Sequence, residues 1–372
     1  MNWKNRVRTL GLYIYKLKVF FIDRFFKGFV GYILYRKHFR EMLAQRPLTL
    51  HINLTNICNA DCSFCAYKYQ STPYQTMDFN LFKKMVDQYD AFGGGMVSLT
   101  PIIGDPLVVK NFMDYLNYLS AKPNITEISM VTNGILIDKF GADVLLDHMH
   151  HWTISTSGFD EEMYLRMFKS KQYKRARQNI IDLLDANSKR TSPRNIALSM
   201  RPDRPVKEVM EYPDFQEILT YNPVLRFTHK YSDFGGLIGQ KDFDFPVTFY
   251  GKRHKLGFRC EVSARDMTVC PDGTVLACSC FEAMDYPKDL EIGNANTQSL
   301  LSIWKGHQRK KFLDEFKPFE KLNDVCRKCK TYRPEFFIYT KDNMNEMDEN
   351  MARWTDPTIG HANPRTALPI LD

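Results

Sequence analysis

Residues Leu48–Thr55, LTLHINLT, run directly toward Cys58–Cys65, CNADCSFC. The first run alternates, with Leu48, Leu50, Ile52 and Leu54 on one side and His51, Asn53 and Thr55 on the other. That period of two marks a strand whose two faces meet different surroundings. The second run sets Cys58, Cys62 and Cys65 in a CxxxCxxC spacing on one short loop. Three thiolates so placed can hold three irons of a [4Fe–4S] cluster, which normally takes four cysteines. A missing fourth ligand leaves one iron open, by the logic that keeps a position free in a catalytic zinc site. A zinc knuckle, which would show CxxC pairs and four ligands, and unrelated buried cysteines are the competing readings.

With the aromatic Phe64 just before the third cysteine, the motif resembles the radical S-adenosylmethionine (radical SAM) superfamily, over about residues 48–335. The resemblance implies that the open iron binds the amino and carboxylate groups of SAM. It implies that one electron, from a reductant such as flavodoxin or ferredoxin, splits SAM into methionine and a 5′-deoxyadenosyl radical. That radical takes a hydrogen atom from an unactivated C–H bond. The likeness names the chemistry and leaves the substrate open.

At 372 residues the chain suits about two domains, and 44% hydrophobic content allows a sizeable core. The nine cysteines fall in two groups, 58/62/65 and 260/270/278/280/326/329. An odd count at CxxC-type spacing argues for metal rather than disulfides, and so for a reducing, cytoplasmic setting. No run of 18 uncharged apolar residues is present to span a membrane. Residues 1–48 carry 11 Lys/Arg and 2 acids, against 40 basic and 41 acidic residues in the remainder. The body of the protein therefore lacks the basic footprint of a nucleic-acid binder. The segment 1–47 reads as a helical extension in which eleven aromatics are mixed with Lys and Arg. Such helices either pack as a lid or lie peripherally on an anionic membrane face, here the inner one.

From Leu48 short strands alternate with helices. Strands are expected at 48–55, 96–99, 125–132, 151–157, 195–200 and 224–229, and helices at 79–90, 108–120, 138–148, 160–168, 174–186 and 206–220. This is a parallel α/β architecture. A closed eight-stranded barrel needs about 250 residues, more than the roughly 190 available. A partial (β/α)6 TIM-like barrel over 48–245 fits, as the family resemblance implies. Sites in such barrels form at the C-terminal strand ends.

Those ends carry the candidate residues. Gly104-Asp105-Pro106 occupies the place of the family's GGE motif, which holds the SAM amino group, although Ile103 and Asp105 depart from it; an ordinary Asp-Pro turn is the alternative. The resemblance points to Ser155 or Ser157 as a ribose contact and to Phe64 as a cover over the cluster and the adenine edge. Asn133 is either a further ribose contact or part of an ordinary turn, and Arg201, at the mouth of the fifth strand, either grips the SAM carboxylate or makes a surface ion pair. After the sixth strand, Arg226, His229, Lys230, Tyr231 and Asp233 are placed to line a polar substrate pocket, with His229 or Asp233 taking a proton.

The second cysteine group follows. Cys260, a Pro271-Asp272-Gly273 hairpin ending at Cys278, a helix near 299–316 and Cys326-Arg-Lys-Cys329 resemble the auxiliary-cluster domain called SPASM, in its shortened twitch form. The resemblance implies one auxiliary [4Fe–4S] cluster on Cys260, Cys278, Cys326 and Cys329; a structural four-cysteine zinc site is the alternative. Cys270 and Cys280 are left over, as buried thiols or, for Cys280, as a substitute for Cys278. This domain is expected over 246–335, with a surface-wrapping tail over 336–372. The expected function is oxidation of a sugar-like or other small polyol, with the auxiliary cluster as electron acceptor. Peptide modification of the maturase kind is the alternative within the enzyme class, and a non-catalytic iron–sulfur or zinc module is the alternative outside it.

Overall fold

The computed structural model describes residues 43, 45–228, 230–252, 259–317, 321–333 and 351–352. Every element below lies in the compact unit Pro47–Asp372. Six strands, β1 (Thr49–Ile52), β2 (Gly95–Ser98), β3 (Ile125–Thr132), β4 (His151–Thr156), β5 (Asn195–Met200) and β6 (Val224–Thr228), pair in sequence order. Each is parallel to the next. Helices Phe79–Ala91, Phe112–Ser120, Ala142–His148, Glu161–Phe168 and Tyr173–Ser188 form the crossovers. The partial (β/α)6 barrel is therefore the architecture. The expected helix over 206–220 is broken into Val206–Val209 and Pro213–Leu219. Pro213 cannot continue a helix but readily starts one.

The strand pattern sorts side chains by face. Leu50, Ile52, Val97, Ile128, Trp152, Ile154 and Leu198 are almost wholly buried toward the helices, each worth about 1.5–3 kcal/mol of apolar burial. The alternate positions are small and polar: Ser129, Thr153, Ser155 and Ser199 remain partly accessible. Register sets Ser155 beside Ser199 and Ser199 beside Arg226. Closed barrels fill this interior with bulky branched side chains; here Ser129, Thr153, Ser155 and Ser199 put hydroxyls there, beside His151, Val131 and Ala197.

After β6 a small parallel pair, β7 (Lys230–Tyr231) and β8 (Thr248–Phe249), carries the chain out of the barrel. The hairpin expected in the C-terminal domain is hydrogen-bonded to the edge of the barrel sheet. β9 (Asp266–Val269) runs parallel to β1, with Thr49 opposite Asp266 and Ile52 opposite Val269. β10 (Thr274–Leu276) and β11 (Glu291–Asn294) follow antiparallel. Pro271-Asp272-Gly273 forms the turn, Asp272 Oδ1 accepting from Thr274 N at 2.8 Å. On the opposite edge, β12 (Met351–Ala352) pairs antiparallel with β6, so part of the expected tail joins the sheet. The second cysteine group is thus fixed to the same strand, β1, that leads into the first.

Candidate active site

The loop Cys58–Cys65 leaves the end of β1 and is held from three sides. Below it, Asp105 N donates to Ile57 O at 2.9 Å. Gly104, at φ +111°, lies so close that a Cβ there would stand 2.7 Å from Thr55 O. Asp105, 2% exposed, accepts from Asn133 N at 2.7 Å, Thr132 Oγ1 at 2.9 Å and Leu107 N at 3.0 Å. Burial raises this carboxyl to about 6, against the lowering effect of those donors. Asn133 Nδ2 then donates to Asn59 Oδ1 at 2.7 Å. The ends of β1, β2 and β3 are so joined into one polar knot. On the second side, Ser63 N and Oγ donate to Met167 O and Arg166 O, both at 2.9 Å, satisfying carbonyls that a helix end leaves without partners. On the third, Asp242 accepts from Tyr69 Oη and Lys68 Nζ, both at 2.6 Å, and Asp285 accepts from Ser71 N and Thr72 N.

The three thiols of this loop are free. Burial, with the Asp105 charge second, pushes Cys58 up to about 12. Burial also raises Cys62 and Cys65, while the Arg201 guanidinium pulls both down. Left alone such thiols stay protonated. A bound cation would draw out the thiolates, and ligation and deprotonation would proceed together.

Arg201 and Phe64 form the mouth. The guanidinium lies 4.7 Å from the Phe64 ring centre and donates to Ser155 Oγ and Ser199 O, both at 3.2 Å. Phe64 also meets Phe168 edge-on at 5.3 Å and stacks on Tyr231 at 6.2 Å. Three buried hydroxyls around this mouth, on Ser157, Tyr164 and Tyr231, have no hydrogen-bond partner among the described residues. Buried hydroxyls are seldom left so, and a bound polar ligand is a natural partner. Asp233 is engaged: Lys330 Nζ donates to it at 2.6 Å. His229 lies outside the described residues.

A second cavity, of about 350 Å³ with its open mouth included, is lined by Cys260, Cys278, Cys280, Cys326 and Cys329. Among the described residues no group of three His, Cys, Asp or Glu side chains is arranged to hold a single metal ion. The five thiols around this cavity include the four cysteines that a [4Fe–4S] cluster takes. Cys270 is not among the lining residues. It is fully buried and faces Asn53 Nδ2 at 3.9 Å.

The segment after β6 touches residues adjacent in sequence to both cysteine groups. Tyr231 stacks on Phe64, next to Cys65. Asp233 binds Lys330, next to Cys329. The Phe234 ring lies 5.0 Å from that of Phe281, next to Cys280. Lys330 stands 97 positions from Asp233, and no sequence pattern links the two. Asn59 and Tyr164 are likewise marked by no motif; a polar residue inside the cysteine run is the one signal that could draw attention to Asn59.

Comparison with known families settles the membership. The family model of the radical SAM superfamily matches residues 52–212, and that of the SPASM iron–sulfur cluster-binding domain matches residues 260–330. The chain belongs to the radical SAM superfamily. Its curated relatives include the probable GTP 3′,8-cyclase of Archaeoglobus fulgidus, 28% identical over 31% of this chain and 37% of that protein. Another is the GTP 3′,8-cyclase of Desulforamulus reducens, 26% identical over 36% of this chain and 42% of that one. The chain thus spans less than half the length of these relatives. Among solved structures, Streptococcus suis SuiB bound to precursor peptide SuiA aligns over 78% of this chain and 72% of its own, at 13% identity and a TM-score of 0.56. The AdoMet-bound anSMEcpe aligns over 76% and 86%, at 18% identity and a TM-score of 0.52.

Radical SAM and SPASM domains together imply SAM and two [4Fe–4S] clusters. The donors present suit that content: three free thiols on an open loop, partnerless hydroxyls beside them, and a ring of cysteines elsewhere. The Asp of the altered GGE motif spends its oxygens on Thr132, Asn133 and Leu107. In this structure it braces the loop, and Gly104 supplies the close approach. The segment 1–42, expected as lid or membrane contact, lies outside the described residues.

Proposed function

We propose that this chain is a radical SAM oxidoreductase that dehydrogenates a sugar-like or other small polyol. The observation that supports it is the segment Tyr231–Phe234, which contacts the neighbours of both cysteine groups at the barrel mouth, where substrates of such barrels bind. SAM and the clusters, held by Cys58, Cys62 and Cys65 and by the cysteines of the second cavity, would supply a hydrogen-atom acceptor and a one-electron acceptor. The chain's own residues do the rest. Arg201, fixed by Ser155, Ser199 and Phe64, offers a guanidinium to the SAM carboxylate. Ser157 and Tyr231 offer hydroxyls to ribose or substrate. Phe64, Phe168 and Phe243, whose ring lies 5.1 Å from that of Tyr231, exclude water. A side chain at the β6 exit takes the hydroxyl proton: Asp233, held in place by Lys330, or His229.

A peptide is the alternative substrate class; SuiB was captured with its precursor peptide SuiA. Nucleotide cyclisation is the activity of relatives aligned over about a third of this chain, and those alignments speak for the shared core alone.

Anaerobically reconstituted protein, given SAM and a reductant, is expected to form 5′-deoxyadenosine. Polyols or aminocyclitols should stimulate that formation and yield a product lighter by one H2. Cys326→Ala with Cys329→Ala should keep SAM cleavage and lose the oxidised product. No SAM cleavage by the wild type would refute the enzyme reading, and stimulation by peptides alone would replace the substrate class.

A further inference from the structure

The auxiliary cavity holds more thiols than a cluster uses. A [4Fe–4S] cluster takes four cysteines, and five line this cavity: Cys260, Cys278, Cys280, Cys326 and Cys329. Cys278 and Cys280 follow β10 and both line the cavity. They are close neighbours there: Cys280 N donates to Cys278 Sγ at 3.3 Å. The other acidic group in the wall, Glu282, is committed to Lys330 N at 3.2 Å and to Thr331 Oγ1 at 3.4 Å. Thr331 Oγ1 also lies 3.3 Å from Cys329 Sγ. Cys260 opens the helix Glu261–Arg265 and Cys326 and Cys329 share the helical turn at Asp324–Lys328; the wall holds no further cysteine beside them. Cys278 has one.

We infer that Cys278 and Cys280 are interchangeable fourth ligands of the auxiliary site, so that the cluster can pass from one sulfur to the other without leaving its cavity. In the exchange the iron–sulfur bond to Cys278 breaks as that to Cys280 forms. The thiol proton of Cys280 passes to Cys278, and no electron moves. The inference rests on the auxiliary-cluster reading and is independent of the substrate. A two-position ligand would let the site adjust when substrate or product crowds the mouth, because Phe281, next to Cys280, meets Phe234 of the segment that reaches the catalytic loop.

The test uses the full chain with Cys58, Cys62 and Cys65 changed to Ala, so that bound iron reports the auxiliary site alone, at about four irons per chain. In that background Cys278→Ala and Cys280→Ala are each expected to keep about four irons, with different electron paramagnetic resonance signals for the reduced cluster. The double variant Cys278→Ala/Cys280→Ala keeps three thiols, and any cluster it binds should have one iron without a cysteine and give a resonance signal unlike that of either single variant. Loss of the cluster in Cys278→Ala alone, or a signal from either single variant that matches the double variant's, overturns the inference. Folding of the variants does not limit the second measurement, which uses the loaded wild type. Anaerobic alkylation followed by peptide mass spectrometry should find label on both Cys278 and Cys280. Label on one of them only, or on neither, overturns the exchange. SAM cleavage enters neither readout, so failure here is distinguishable from failure of the proposed activity.

Discussion

Gly104→Ala tests whether the turn after β2 supports the cysteine loop by close approach. At φ +111° a residue with a side chain carries about 1–3 kcal/mol of backbone strain. The new Cβ would stand 2.7 Å from Thr55 O, 3.1 Å from Ile57 O and 3.2 Å from Asn56 C. All three are backbone atoms and cannot rotate aside, so relief requires the loop or the turn to move, at about 1–3 kcal/mol more. The expected total is about 4 kcal/mol. Gly236 supplies the control, because it has φ +102° and nothing within 4 Å of the place a methyl group would take. Gly236→Ala therefore carries the strain without the clash. Denaturant unfolding and iron analysis of anaerobically reconstituted protein decide the matter. Gly104→Ala should lose about 4 kcal/mol and fall from about eight irons to about four, the auxiliary site being spared. Gly236→Ala should lose about 1–3 kcal/mol and keep all its iron. If Gly104→Ala matched Gly236→Ala in both stability and iron, the close-approach argument would be wrong.

Two further outcomes are expected. Arg201→Lys loses the planar fork and the stack on Phe64, and should weaken SAM binding about 10–100-fold, the equivalent of about 1.5–3 kcal/mol; an unchanged dissociation constant in equilibrium dialysis would assign Arg201 a purely structural role. Asp105 has its folded value raised to about 6 by burial, above the unfolded value of about 4, so its protonation stabilises the fold at low pH. That contribution is complete below about 4 and is lost as pH rises through about 6, at about 3 kcal/mol in all. The stability of wild type relative to Asp105→Asn should therefore fall across that window and level off above it; a difference independent of pH would refute the buried-acid account.

Much of this protein is legible from local pattern. The period of two in Leu48–Thr55 and the alternation of strands with helices fix a parallel sheet, because β-strands joined by helical crossovers have few other ways to bury their faces. Cys58, Cys62 and Cys65 declare themselves because all three ligands sit on one loop, where spacing in sequence is spacing in space. The Cys260, Cys278, Cys326 and Cys329 set needs the SPASM likeness, since its members are distant in the chain. What pattern does not carry is contact between segments far apart. The pairing of β9 with β1 depends on a sheet edge left open by a six-stranded barrel, and short strands show no mark of which edge they will join. Asp105 reads in sequence as a ligand contact, and its burial against Thr132 and Asn133 emerges only once β2 and β3 lie side by side. Asp233 reads as a free base until folding brings Lys330 to it. Cys280 reads in sequence as a buried thiol or a substitute for Cys278, and only the fold sets both in the wall of one cavity. Sequence determined which groups exist and which local elements hold them; tertiary structure decided which of them meet, because hydrogen bonds and ion pairs form over a few ångströms of space whatever their separation along the chain.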